Sequence, residues 1–135
     1  IWGPSDVYRC HDEERGIPAD CTTLILGQPL ESLARESNPN TNKQPLPIGW
    51  VKTWVGNHDH ESNIFHFTMG SAEDFEDEGV RRVVINSVYW GLNMSDLISP
   101  NRSVDPTTPY RPMKAGFNYE KLGVRPQPIP DGKAF

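Results

Sequence analysis

No stretch of this 135-residue sequence stays apolar for anything near the ~20 residues that a membrane-spanning helix needs, so no membrane insertion is expected. The opening Ile1-Trp2-Gly3-Pro4 has neither the basic nor the apolar segment of a secretory signal. It also begins without methionine, in what reads as the middle of an ordered motif, which predicts a fragment or a chain whose N-terminal part has been removed. Basic residues are scarce, 13 against 18 acidic, for a net charge of −5. That balance argues against nucleic acid, whose phosphates call for a clustered basic surface. Cysteine is limited to Cys10 and Cys21. Their spacing is not that of a metal-binding C-x-x-C pair. They read either as a disulfide in an oxidising compartment or as two free thiols. Phosphate loops, dinucleotide fingerprints, zinc-protease motifs, the G-x-S-x-G elbow and internal repeats are all missing.

Hydrophobic residues make up 36% of the chain, against 13 prolines and 11 glycines, so much of it is expected to be irregular around a small regular core. Residues 1–21 are turn-rich and include the charged run Asp12-Glu13-Glu14-Arg15, which nothing apolar frames and which reads as a solvated loop. The β-branched, apolar TTLILG at 22–27 fits a buried strand. Residues 30–35 can form a helical turn, and 36–47 read as a loop. Residues 48–55 and 64–69 read as two strands of a β-hairpin, joined by the polar turn formers of 56–63. Alternation sets Phe65, Phe67 and Met69 on one face and Ile64, His66 and Thr68 on the other.

One amphipathic helix is predicted over 77–92. Acidic residues crowd its entry, where the helix dipole favours them. Asp77 with Arg81, and Glu78 with Arg82, are favourable i,i+4 pairs. Val80, Val83, Val84, Val88, Gly91 and Leu92 form an apolar stripe, widened by Ile85 and Tyr89. Such a stripe must pack on something larger than a hairpin, which again predicts partner strands outside the chain or in its first third. After Asn93 comes a Pro-rich tail, with Phe117, Tyr119, Leu122 and Val124 as apolar anchors against the domain surface.

Each chemical candidate has a plain structural alternative. His58-Asp59-His60 could ligate a metal with Glu61, but the residue types are ordinary in a turn, and no metal site is expected. His66, mid-strand, is the candidate proton-transfer group, or else a hydrogen-bonded histidine of a half-buried sheet. At Thr68-Met69-Gly70-Ser71 the chain leaves the strand. Gly70 permits a sharp turn and a close ligand approach. Ser71, with Asp74 three residues on, can cap the helical segment or sit at a pocket rim. Trp50 and Trp54 share a strand face and read as core packing, or else as platforms for sugar rings. Asn93-Met94-Ser95 and Asn101-Arg102-Ser103 fit the N-glycosylation pattern, which matters only in a eukaryotic secretory route.

Taken in order, several motifs resemble the C-terminal part of the ThuA-like (trehalose-utilisation) family. They are Trp50-Val51-Lys52-Thr53-Trp54, then Ile64-Phe65-His66-Phe67-Thr68-Met69-Gly70-Ser71, then Asp74-Phe75, Arg81-Arg82, Asn86 and Tyr89-Trp90. The flanks agree: Ile1 to Tyr8 and Leu24 to Leu30 are similar to the middle of such proteins, and Val104-Asp105, Tyr110-Arg111-Pro112, Gly116-Phe117 and Gly123-Val124-Arg125-Pro126 to the tail of a bacterial subgroup. The resemblance implies an α/β fold: part of a flavodoxin-like, class I glutamine-amidotransferase-like three-layer domain, with a β-hairpin, one main C-terminal helix and a Pro-rich extended tail. It implies a C-terminal domain portion over 1–94 and a packed tail over 95–135, with the early parallel strands outside this chain. It implies a link to carbohydrate utilisation and, for location, an extracytoplasmic bacterial protein. Where many members carry histidine after the glycine of the strand exit, this chain has Ser71.

Two readings follow. In the first, the domain binds or processes a small-molecule carbohydrate at the C-terminal end of the 64–69 strand. Thr68, Gly70 and Ser71 contact the ligand, His66 is the catalytic candidate, and no cofactor is needed. In the second, the fold is a non-catalytic interaction module whose contact surface is the aromatic tail. Whether the chain is an enzyme, and whether it self-associates, are both left open by the sequence.

Overall fold

A computed structural model describes residues 1–8, 17–113 and 123. Strand β1 (Thr22–Gly27), strand β2 (Leu46–Val55) and strand β3 (Glu61–Phe67) form an antiparallel sheet in the order β1-β2-β3. Helix α1 (Glu78–Gly91) follows, and the fold is mixed α/β. β2 starts two residues before the predicted 48–55, whereas β3 starts three earlier and ends two earlier than the predicted 64–69. The hairpin is therefore tighter than the sequence implies. Its tip is a short 3-10 turn, Asn57–Asp59, in which His58 and Asp59 take left-handed φ values of 64° and 57°. Paired positive φ values match the right-handed twist of the strands they join.

Register settles which side chain faces where. Trp50 pairs with His66, Lys52 with Ile64 and Trp54 with Ser62, so these six share one face. Val51 with Phe65 and Thr53 with Asn63 share the other. α1 lies against this second face, through β3. Asn63 Nδ2 donates to the Trp90 carbonyl at 3.1 Å and to Asn93 Oδ1 at 2.9 Å, which ties the helix end to the sheet.

α1 is closed at both ends by its own sequence. Asp77 is its N-cap and accepts from the Val80 amide at 3.2 Å. At the C-terminus Asn93 takes a left-handed φ of 58°, its amide donates to Trp90 O at 3.0 Å, and the Met94 amide donates to Tyr89 O at 2.8 Å. That is a Schellman closure with asparagine in the glycine position. Of the predicted ion pairs, Glu78–Arg82 forms at 2.6 Å. The Asp77–Arg81 pair does not form. An N-cap carboxylate turns back to the helix amides, and Arg35 reaches it at 2.7 Å instead. Arg81 is turned to the tail, donating to Val104 O at 3.0 Å and to the carbonyls of Phe75 and Glu76.

The core is thin. Ile48, Val80 and Val104 are the buried apolar residues of the described chain. Two packing expectations are overturned. The strand 22–27 is not buried: Leu24 and Leu26 are 57% and 63% exposed, because β1 is an edge strand with little packed over it. Nor is Trp54 in a core, since it is 53% exposed on the face away from α1. On α1 the stripe fades, from Val80 fully buried to Val88 and Leu92 mostly exposed. Residues 30–35 form bends rather than a helical turn, and Leu30 bridges to Pro39. Val104 holds the tail to α1, and the Tyr110 hydroxyl donates to Ala72 O at 2.7 Å. The predicted anchors Phe117, Tyr119, Leu122 and Val124 lie outside the described residues, as do Cys10 and the run Asp12 to Arg15. Cys21 carries a free thiol.

Candidate functional site

The chain leaves β3 at Thr68, whose amide still donates to Ile48 O at 2.9 Å, and re-enters helical structure at the 3-10 turn Ala72–Glu76. Asp74 sits at the centre of this junction and is fully buried. Its carboxylate accepts from the Gly70 amide at 2.8 Å, the Ser71 amide at 2.9 Å and the Ser5 amide at 3.2 Å, and also from the Ser5 hydroxyl. A buried carboxylate is tolerable only with such a set of donors. Asp74 thus joins the strand exit to a segment 69 residues earlier in the chain. Gly3 is required by this closeness: a Cβ there would fall 2.2 Å from Asp74 Oδ1 and 2.6 Å from Met69 Cε.

Asp77, 6% exposed, is the second acidic anchor. Burial pushes its carboxyl pKa up, but the Val80 and Trp2 amides, the Ile1 ammonium and then the Arg35 guanidinium together pull it down harder, leaving it below its ordinary value of 3.8. Arg35 also lies over the Trp2 ring, 5.8 Å from its centroid. Together Asp74 and Asp77 fix the N-terminal segment along the end of the sheet.

That segment and the loop after β1 enclose a cleft of about 970 Å³. Its wall and rim include Trp2, Asp6, Gln28, Glu31 and Asn42, and its apolar lining includes Ile48 and Met69. Gln28 holds the loop in shape, donating through Nε2 to the carbonyls of Pro29 (2.9 Å) and Asn40 (3.2 Å). The cleft's lining carries the Trp2 indole, the two carboxylates of Asp6 and Glu31, the Lys43 ammonium and the amides of Gln28, Asn42 and Gln44, a mixed polar set without an excess of positive charge for an anion. A second hollow of about 440 Å³ lies between Arg81 and residues 106–110, where the tail crosses the helix entry.

The predicted site residues fall into two groups. Gly70 and Ser71 meet at Asp74, with their amides committed to it, so the pair caps the 3-10 turn while Asp77 caps α1. His66 and Thr68 lie on the other strand face, shared with Ile48 of the cleft. The His66 ring stacks on Trp50, with centroids 3.9 Å apart and planes at 18°, and the residue is exposed. The Thr68 hydroxyl is buried with no hydrogen-bond partner. His58 and His60 are exposed at the hairpin tip, and among the described residues no group of three or more His, Cys, Asp or Glu could hold a metal. Trp2, Gln28 and Glu31 were not singled out as site residues from sequence. No helix among the described residues is long and apolar enough to cross a membrane. No family model, curated protein or solved structure matches this chain.

Proposed function

We propose that the chain is the C-terminal portion of a ThuA-like, flavodoxin-like three-layer domain that binds or processes a carbohydrate. The observation that carries the reading is the cleft of about 970 Å³ beside the strand exit, with Trp2 in its wall and the polar groups of Asp6, Gln28, Glu31 and Asn42 around it. A sugar presents apolar C–H faces and a rim of hydroxyls, and this lining offers an indole for the first and carboxylates and amides for the second. The net charge of −5 favours a neutral sugar over a phosphorylated one. Among the described residues the outer backbone edge of β1 is open to a further strand, and exposed Leu24 and Leu26 leave apolar area for a covering layer, both of which a three-layer domain requires. If the domain is catalytic, His66 is the proposed proton-transfer group, although it stacks on Trp50 and does not itself line the cleft.

A thermal-shift screen against neutral mono- and disaccharides tests this, because a ligand of the native state raises the midpoint by mass action. The reading expects a sugar-dependent rise that Trp2→Ala removes. With a turned-over sugar, His66→Ala abolishes turnover while the rise persists. A flat response to every sugar in a folded chain leaves the interaction module as the better account. That second reading has its own support in Leu33, 75% exposed on the loop that walls the cleft.

A further inference from the structure

Arg35 stands at the tip of the loop between β1 and β2, and that loop closes on itself. Leu30 forms an antiparallel bridge with Pro39, the Asn40 amide donates to Pro29 O at 2.9 Å, and the Glu31 amide donates to Asn38 O at 3.0 Å. Nearer the tip, the Ser32 amide donates to Ser37 Oγ at 3.0 Å. At the base, Gln28 Nε2 gathers the carbonyls of Pro29, Asn40 and Lys43. A loop bonded in this way keeps its own shape and can move as a unit about its two strand ends. Arg35 is what ties it to a remote part of the chain: among the described residues no other hydrogen bond or ion pair joins 29–44 to a distant element.

The Arg35 guanidinium makes two contacts at once. Nη2 meets Asp77 Oδ2 at 2.7 Å, and the guanidinium carbon lies 5.8 Å from the centroid of the Trp2 ring. Asp77 is a fixed anchor, 6% exposed and bonded to the Val80 amide, whereas Arg35 is 60% exposed. A planar guanidinium can pair with a carboxylate and lie on an indole together, which an ammonium does less well. Trp2 borders the cleft, and so do Glu31, Ser32 and Leu33 on the arm that leads to Arg35, but Arg35 itself does not. One contact outside the cleft therefore holds two parts of its wall. Walls set before a ligand arrives need not be ordered by it, and affinity gains by that saving.

We propose that Arg35 is a positioning residue for the cleft: anchored on Asp77, it holds the Trp2 indole and the tip of the 28–45 loop in the arrangement that the ligand meets. The inference rests on the carbohydrate reading of the cleft and adds what presets that site. An ion pair with one partner mostly in water contributes modestly, so losing it should weaken binding severalfold, whereas Trp2→Ala removes part of the binding surface itself.

The test is an NMR titration of the full chain with maltose, read on backbone amides and tryptophan indoles, in wild type, Arg35→Gln, Arg35→Lys and Trp2→Ala, the last of which assigns the Trp2 indole. Arg35 is mostly exposed, so its variants should fold, with spectra that match wild type away from Trp2 and the loop. The proposal expects the Trp2 indole signal to move in ligand-free Arg35→Gln, and maltose affinity to fall about threefold to fivefold. Arg35→Lys should recover part of that affinity, because an ammonium keeps the ion pair without the planar contact. Maltose is uncharged, so salt acts on the ion pair and not on the ligand: wild-type affinity should weaken as NaCl is raised, and that of Arg35→Gln should not. An unmoved Trp2 indole in Arg35→Gln, or wild-type maltose affinity in that variant, overturns the positioning role while the cleft reading survives through its dependence on Trp2. The same salt response in wild type and Arg35→Gln overturns it too. No maltose binding by the folded wild-type chain overturns both.

Discussion

The junction between β3 and α1 and the opposite face of the sheet are built on opposite plans. At the junction both buried carboxylates are fully engaged: Asp74 collects four donors, Asp77 caps α1 and holds Arg35, and Gly3 lets the backbone pass within contact of Asp74. On the opposite face Trp54 and Ile64 stand exposed, and Ile48 borders the cleft. The difference teaches where this chain keeps its stability and where it keeps surface in reserve. With Ile48, Val80 and Val104 as its buried apolar residues, it relies on a buried carboxylate network to do what a larger core would do elsewhere.

The sharpest way to break that contrast is Asp74→Ala. It leaves the amides of Ser5, Gly70 and Ser71 and the Ser5 hydroxyl without their acceptor. At the usual cost of orphaned buried donors the loss should reach about 3 kcal/mol, a large part of the stability of a small domain, visible in urea unfolding. An unfolding midpoint within error of wild type would sink the network account. Val80→Ala comes next, at roughly 2 kcal/mol, because Val80 is fully buried where α1 meets the junction.

Asp77 gives a smaller and pH-dependent effect. Its folded pKa lies below the ordinary 3.8, so its contribution is fully present above that value and drains away as pH falls through the lowered one. Asp77→Asn should therefore be less stable by about 1 kcal/mol at neutral pH, with the deficit shrinking below about pH 4. A deficit that stays constant down to pH 2.5 would contradict the charge-based cap. At the bottom of the scale, Leu26→Ser on the exposed edge should change stability by no more than about 0.5 kcal/mol. A larger loss there would mean that β1 is covered in solution.

How much of this the sequence allowed depended on the range of the interaction. Local signals were sufficient for β1 and α1: a β-branched apolar run and a 3.6-residue stripe with acidic entry located both within a residue or two. The pairing of Ser71 with Asp74 was also legible, since capping geometry acts over three residues. Legibility failed where the partner is remote. Ser5 reaches Asp74 across 69 residues and Arg35 reaches Asp77 across 42, and neither hydrophobic periodicity nor turn chemistry encodes such contacts. Burial was misjudged for the same reason. Leu24, Leu26 and Trp54 are apolar enough for a core, but what covers a strand is a property of its neighbours. The Trp50–His66 stack needs the exact cross-strand register, which shifted once the hairpin proved shorter than its polar residues suggested.

The account's central claim is that the ligand surface lies in the cleft, and that the strand-exit loop is committed to holding the fold together. A two-dimensional amide and indole NMR titration of the full chain with maltose addresses this directly. The account predicts a perturbed indole signal of Trp2 and a perturbed side-chain amide of Asn42, with the Gly70 and Ser71 amides unmoved on Asp74. Shifts concentrated at Gly70 and Ser71, with the Trp2 indole silent, would contradict it.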